Sequence, residues 1–168
     1  GAERDARLAA TDALPGRIYY ASPDARGALT AHATFERVRQ PNLYPGIDLL
    51  YYANDRQLEF DFVVAPGANP MKIRMAFSGA EKMTLEPGGE LSFRLDGEDV
   101  RLKKPVIYQE HDGTRRVIAG GYRILDADAQ IVTFSLGAYD RSRPLVIDPT
   151  IVFATYFGGA GYEVPRQV

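Results

Sequence analysis

The sequence predicts an all-β protein, an antiparallel β-sandwich of about ten to twelve short strands. Three observations carry this. Apolar and polar residues alternate along segment after segment, most clearly in "LEFDFVV" at 58–64. Gly, Pro, Asp and Asn punctuate the chain roughly every 8–12 residues, the spacing of strands joined by turns. After residue 16 no stretch sustains the 3.6-residue apolar period of a helix.

Each element follows from its local pattern. "AERDARLAATDAL" is polar and Ala-rich and favours a short helical turn, which Pro15-Gly16 ends. "RIYY" is a first short strand. "ATFERVR" alternates, but Phe35 and Val38 fall out of phase, which marks a bulge or an edge strand. "YPG" at 44–46 is a turn. "IDLLYYA" and "LEFDFVV" flank the polar "NDR" at 54–56 and form a hairpin. "APGANP" is a loop. "MKIRMAF" is a strand with Met71, Ile73, Met75 and Phe77 inward. "EKMTL", "ELSFRL" and "EDVRLKK" follow, joined by "EPGG" and by Asp96-Gly97. An Asp-Gly step between alternating strands is a strong hairpin signal, because a type I′ turn needs positive φ at both positions. "HDG" at 111–113 is a second such turn, and "DADAQ" separates "GYRIL" from "IVTFSL". "LVI" and "TIVFATYF" close the series. The predicted core is Leu58, Phe60, Phe62, Val64, Ile73, Met75, Phe77, Leu91, Phe93, Val132, Phe134 and Leu136.

Composition narrows function. The chain has 168 residues, 45% hydrophobic, enough for one domain with a real core. A net charge of −2 gives no bulk attraction to nucleic acid. There is no cysteine, which removes disulfides, thiolate metal sites and a thiol nucleophile. No apolar run is long enough for a membrane-spanning helix.

Few residues suggest chemistry. Tyr44, Asp48, Tyr51, Tyr52 and Asn54, with Tyr19 and Tyr20, are candidates for a sugar-stacking platform, since aromatic rings offer flat faces to sugar C–H groups; ordinary cross-strand packing is the competing reading. Glu59 and Asp61, with Asp48 across the hairpin, or Glu110, are the carboxylates a glycoside hydrolase would need, and also what a solvated strand face looks like. His32 and His111 lack metal-ligand spacing, and Asp126 and Asp128 lack a full calcium-loop pattern. Ser135 and Ser142 have no nucleophile-elbow context. No catalytic residue, metal or cofactor is predicted. Asp140, Arg141, Arg143 and Asp148, in "GAYDRSRPLVIDP", read as a structural joint: two Asp and two Arg satisfy one another where the backbone bends.

Three stretches together carry a resemblance: "YPGIDLLYYANDRQLEFDFVVAPGANP" at 44–70, "KPVIYQE" at 104–110 and "GAYDRSRPLVIDPTIVFATYFGG" at 137–159. Over about residues 14–164 the chain resembles the extracellular bacterial domain that precedes SBBP-type β-propeller repeats. The resemblance implies a secreted or surface location and a non-catalytic module that caps or presents a repeat array. Its partners would be the rest of the same polypeptide, with a glycan or another surface protein as further partners. Residues 1–13 stand outside it as an unplaced segment or cloning remnant, 14–150 form the sandwich, and 151–168 begin a repeat or add a closing strand.

Overall fold

The computed structural model describes residues 8–21, 29–54, 57–95, 97–128 and 130–153. Those residues form antiparallel sheets and almost no helix, a β-sandwich as the alternation predicts. The strands are β1 (Ala9–Ala21), β2 (Leu29–Tyr44), β3 (Ile47–Asn54), β4 (Gln57–Val64), β5 (Met75–Ala76), β6 (Glu81–Leu85), β7 (Leu91–Leu95), β8 (Glu98–Leu102), β9 (Val106–His111), β10 (Thr114–Val117), β11 (Gly120–Asp126), β12 (Ile131–Leu136), β13 (Leu145–Asp148) and β14 (Ile151–Phe153). One layer is a seven-stranded sheet in the order β1-β2-β3-β4-β13-β9-β10. The other contains β11-β12-β5 and β14-β8-β7-β6.

Alternation decides which face is buried. In the β3–β4 hairpin Ile47 pairs with Val64 and Leu49 with Phe62, and all four are core. Between them Asp48, Leu50, Tyr52, Glu59 and Asp61 take the opposite face. β13 inserts between β4 and β9, so Ile147 pairs with both Phe62 and Ile107. The layers meet through rings: Phe62 stands edge-on to Phe134 at 5.7 Å, and Tyr122 packs on Phe134 at 5.7 Å. At Gly120 a Cβ would sit 2.5 Å from the carbonyl oxygen of Ser135 on the paired strand β12 and 2.6 Å from Ile107 Cδ1, which reaches across from the large sheet.

The predicted core is largely the observed one. Phe62, Val64, Ile73, Leu91, Phe93, Val132 and Phe134 are buried, while Phe60, Met75, Phe77 and Leu136 are half-buried against them. Leu58 pairs with Ala53 through its backbone, and its side chain lies outside the described residues. The turns at Pro45-Gly46 and Asp112-Gly113 are present; both residues of the second have positive φ, 48° and 76°. Gly97 has φ +86°, while Asp96 lies outside the described residues, as do residues 55 and 56.

Four expectations are corrected. The N-terminal stretch is no helical turn from residue 8 onward: Ala9–Ala21 is a strand that bulges at Leu14-Pro15-Gly16 and pairs with β2. Local Ala propensity is weak beside a continuous ladder. The strands are not uniformly short, since β1 has 13 residues and β2 has 16. There are fourteen among the described residues, where ten to twelve were expected. Finally, Met71 is 37% exposed: Asn69 Oδ1 accepts from the Met71 N–H, Pro70 starts a 3-10 turn, and the strand begins only at Met75.

Among the described residues, 29–36 of β2 pair with β1 alone, so the first hairpin runs on as a two-stranded arm. Ile18, Tyr19, Leu29 and Phe35 are exposed on it, at 47%, 59%, 63% and 42%.

Candidate functional site

The outward face of the large sheet gathers polar groups from five strands. β3 brings Tyr52, β4 Glu59 and Asp61, β13 Asp148, β9 Tyr108 and β10 Arg115. Tyr52 lies opposite Glu59 in register, and its hydroxyl donates to Asp61 Oδ1 at 3.2 Å. Val146 pairs with Val63, so Asp148 continues down β13 beside Asp61. Arg115 lies over the Tyr108 ring, 4.4 Å from its centroid, and its Nε is 3.8 Å from Glu110 Oε1.

Burial and mutual repulsion set the protonation of this group. Asp61 is only 9% exposed, and its carboxyl is pushed up to about 6, first by burial and then by the Asp148 charge. The Tyr52 hydrogen bond and Arg115 pull the other way. Asp148 is also raised, by burial and then by Glu59, with Arg115 opposing. The Tyr52 phenol is raised by burial and by Asp61. Behind the sheet the Tyr122 phenol is raised by burial and by Asp148. Asp148 Oδ1 and Tyr122 Oη are buried with no hydrogen-bond partner among the described residues. The arrangement can hold a proton near neutral pH. Among the described residues no group of three or more carboxylate or histidine side chains is placed to hold a metal ion.

The tyrosines do not form one platform. Tyr44 is 4% exposed; its hydroxyl accepts from the Arg74 N–H at 3.0 Å and donates to the Arg74 carbonyl at 3.1 Å. Tyr51 turns core-side against Phe60 at 6.5 Å, while Tyr52 faces outward. Adjacent strand residues point to opposite faces, so the pair could not share one. Tyr19 is on the arm, and the side chains of Tyr20 and Asn54 lie outside the described residues. Asp48 does not join Asp61: it is held by the Arg39 guanidinium and accepts from the Asn42 N–H at 2.7 Å.

The joint divides in two. Asp140 accepts from the Ser142 hydroxyl at 2.6 Å and the Ser142 N–H at 2.9 Å, which holds its carboxyl below the usual value; Arg143 Nε is 3.4 Å away. The Arg141 carbonyl accepts from the Gly67 N–H at 2.9 Å. Asp148 is apart from these, in the carboxylate group on β13. His32 is on the arm and His111 ends β9 beside Asp112 of the turn, so they do not meet. Three residues that matter were not singled out from sequence. Tyr108 and Arg115 sit on separate strands whose pairing brings the ring and cation together. Gln109, 4% exposed, grips the joint with both ends of its amide.

A family model described as a domain of unknown function, DUF7948, matches residues 1–150. No curated protein and no solved structure matches the chain.

Proposed function

The chain belongs to the DUF7948 family, and from that premise we propose that it is a non-catalytic interaction module, which caps or presents propeller-type repeats on a secreted or surface protein. The observation that carries this reading is the arm. Large apolar residues on a ribbon paired on one side only are a surface that a monomer gains nothing by showing, and such surfaces mark protein contacts. The joint supports it: β13 is fixed in the large sheet, and within two residues the chain enters β14, which pairs with β8 in the other layer. Residues 145–153 are thereby tied to both layers. Secretion and the repeat array rest on the sequence resemblance.

The test compares hydrogen exchange in the domain alone and in the domain linked to SBBP-type repeats. Covering of the arm slows exchange around Ile18, Tyr19, Leu29 and Phe35 in the longer protein. Tyr19→Glu with Phe35→Glu reverses the slowing and leaves the melting of the isolated domain unchanged. Equal exchange in both proteins, or turnover of a glycoside panel that Asp61→Asn abolishes, overturns the reading.

A further inference from the structure

The outward face of the second layer carries a separate feature. β6, β7 and β8 border an open recess of about 530 Å³ whose lining includes Lys82, Glu86, Ser92, Arg94, Asp99 and Arg101 beside the apolar Phe93 and Val100, a size in the range of small-ligand sites. β6 does not pair regularly there: Glu81 pairs with Arg94 and Thr84 with Ser92, so the two residues between them oppose one on β7. This bulge holds Lys82 in the left-handed region, φ +52°, which a lysine adopts at a cost. The Thr84 hydroxyl donates to the Lys82 carbonyl at 3.2 Å and fixes it. Bulges of this kind re-aim a side chain, and strained residues collect where a side chain is needed in one direction.

The charges in the recess are unequally satisfied. Arg94 is engaged, with Asp99 Oδ1 3.4 Å from its Nε and the Gly97 carbonyl accepting from Nη2 at 2.8 Å. Glu86 accepts from the Ser92 hydroxyl at 2.6 Å and is seated by the tight "EPGG" turn, where its carbonyl accepts from the Gly89 N–H at 2.8 Å. Among the described residues Lys82 and Arg101 have no carboxylate within ion-pair distance. Ser92 pairs with Arg101 across β7 and β8, so that cation lies beside the hydroxyl and its acceptor. Two unneutralised cations next to two carboxylates that still have acceptor capacity suit a ligand carrying both an anionic group and several hydroxyls.

We infer that this recess binds an acidic sugar, its carboxylate held by Lys82 and Arg101 and its hydroxyls donating to Glu86 and Asp99. The inference stands apart from the arm and the joint, which lie elsewhere in the fold.

Calorimetry with trigalacturonate on the intact protein tests it. Binding is expected, weakening as salt rises, and absent for a neutral trisaccharide. Lys82→Gly with Arg101→Gln should weaken binding by at least about tenfold, the loss of a charge-assisted contact. Glycine accepts positive φ, so Lys82→Gly should leave melting unchanged or raise it; reduced affinity without reduced stability separates a ligand contact from a fold defect. Equal affinity for the neutral trisaccharide, binding untouched by the double variant, binding of sulfate but not of the uronate, or no binding at all overturns the inference.

Discussion

Gln109 and Asp140 exchange two hydrogen bonds: Gln109 Nε2 donates to the Asp140 carbonyl at 2.7 Å, and Gln109 Oε1 accepts from the Asp140 N–H at 2.9 Å. The same Nε2 lies 3.2 Å from the Pro144 carbonyl. A buried side chain on β9 thus does for the loop what a neighbouring strand would do. The Arg143–Asp140 pair beside it is half-exposed, and such pairs contribute about 0–1 kcal/mol.

Gln109→Ala should therefore destabilise more than Arg143→Ala. Stranding the Asp140 backbone groups costs about 1–3 kcal/mol, and Arg143→Ala should cost less than about 1 kcal/mol. Denaturant melts of the two variants decide the order, and the reverse order would return the joint to its charged residues.

Stability should fall as pH rises through the titration of Asp61. Its folded value, about 6, lies above the ordinary 3.8, so the folded protein binds this proton more tightly than the unfolded chain. The stabilisation is complete below about 4 and is lost as pH rises through about 6. Asp61→Asn keeps an acceptor for the Tyr52 hydroxyl and cannot ionise. Relative to the parent, its melting temperature should rise between pH 4 and pH 7, and a constant difference across that range would show the carboxyl to be unperturbed. Asp140 acts in the opposite direction, but it is common to both proteins and cancels in the difference.

Tyr44→Phe removes a hydroxyl that serves both backbone groups of Arg74. The ring still fills its place, so the loss isolates the two part-buried hydrogen bonds, and about 1–3 kcal/mol is expected from the two together. Faster hydrogen exchange at the Arg74 amide would accompany it.

Two glycines should fail for different reasons. At Gly97 nothing lies within 4 Å of an added Cβ, so Gly97→Val costs only the backbone penalty of φ +86°, about 1–2 kcal/mol. At Gly120 the backbone oxygen of Ser135 on the paired strand and Ile107 Cδ1 from the large sheet occupy the space, and Gly120→Ala must distort the β11–β12 pairing and displace Ile107. A larger loss for the alanine at 120 than for the valine at 97, read from chemical melts, checks the assignment.

Particular residues show how much of this was legible in the sequence. Phe62, Phe93 and Phe134 announce their burial because each sits in an unbroken alternation, and period two has one physical cause. Asp112-Gly113 announces its turn because few other residues accept its backbone. β1 does not announce itself: nothing in "AATDALPG" prefers a strand, and the ladder to β2 supplies the preference. The Asp61–Asp148 neighbourhood is invisible for another reason. Their strands become adjacent only when β13 slots in beside β4, and no local pattern encodes that choice. Alternation put Asp61 on the polar face but could not show how deeply its surroundings would bury it.

The placement of β13 also sets an order in time. β4 and β9 belong to one sheet, yet they do not pair with each other; the strand that joins them is made much later in the chain. Until Leu145–Asp148 has left the ribosome, two inner edges stand open, with Val64 and Ile107 at their rims. Closure then demands contacts between distant parts of the chain, the kind that makes folding slow. A nascent chain halted before residue 145 holds every other strand of the large sheet and none of its continuity, and at that length it is most exposed to aggregation.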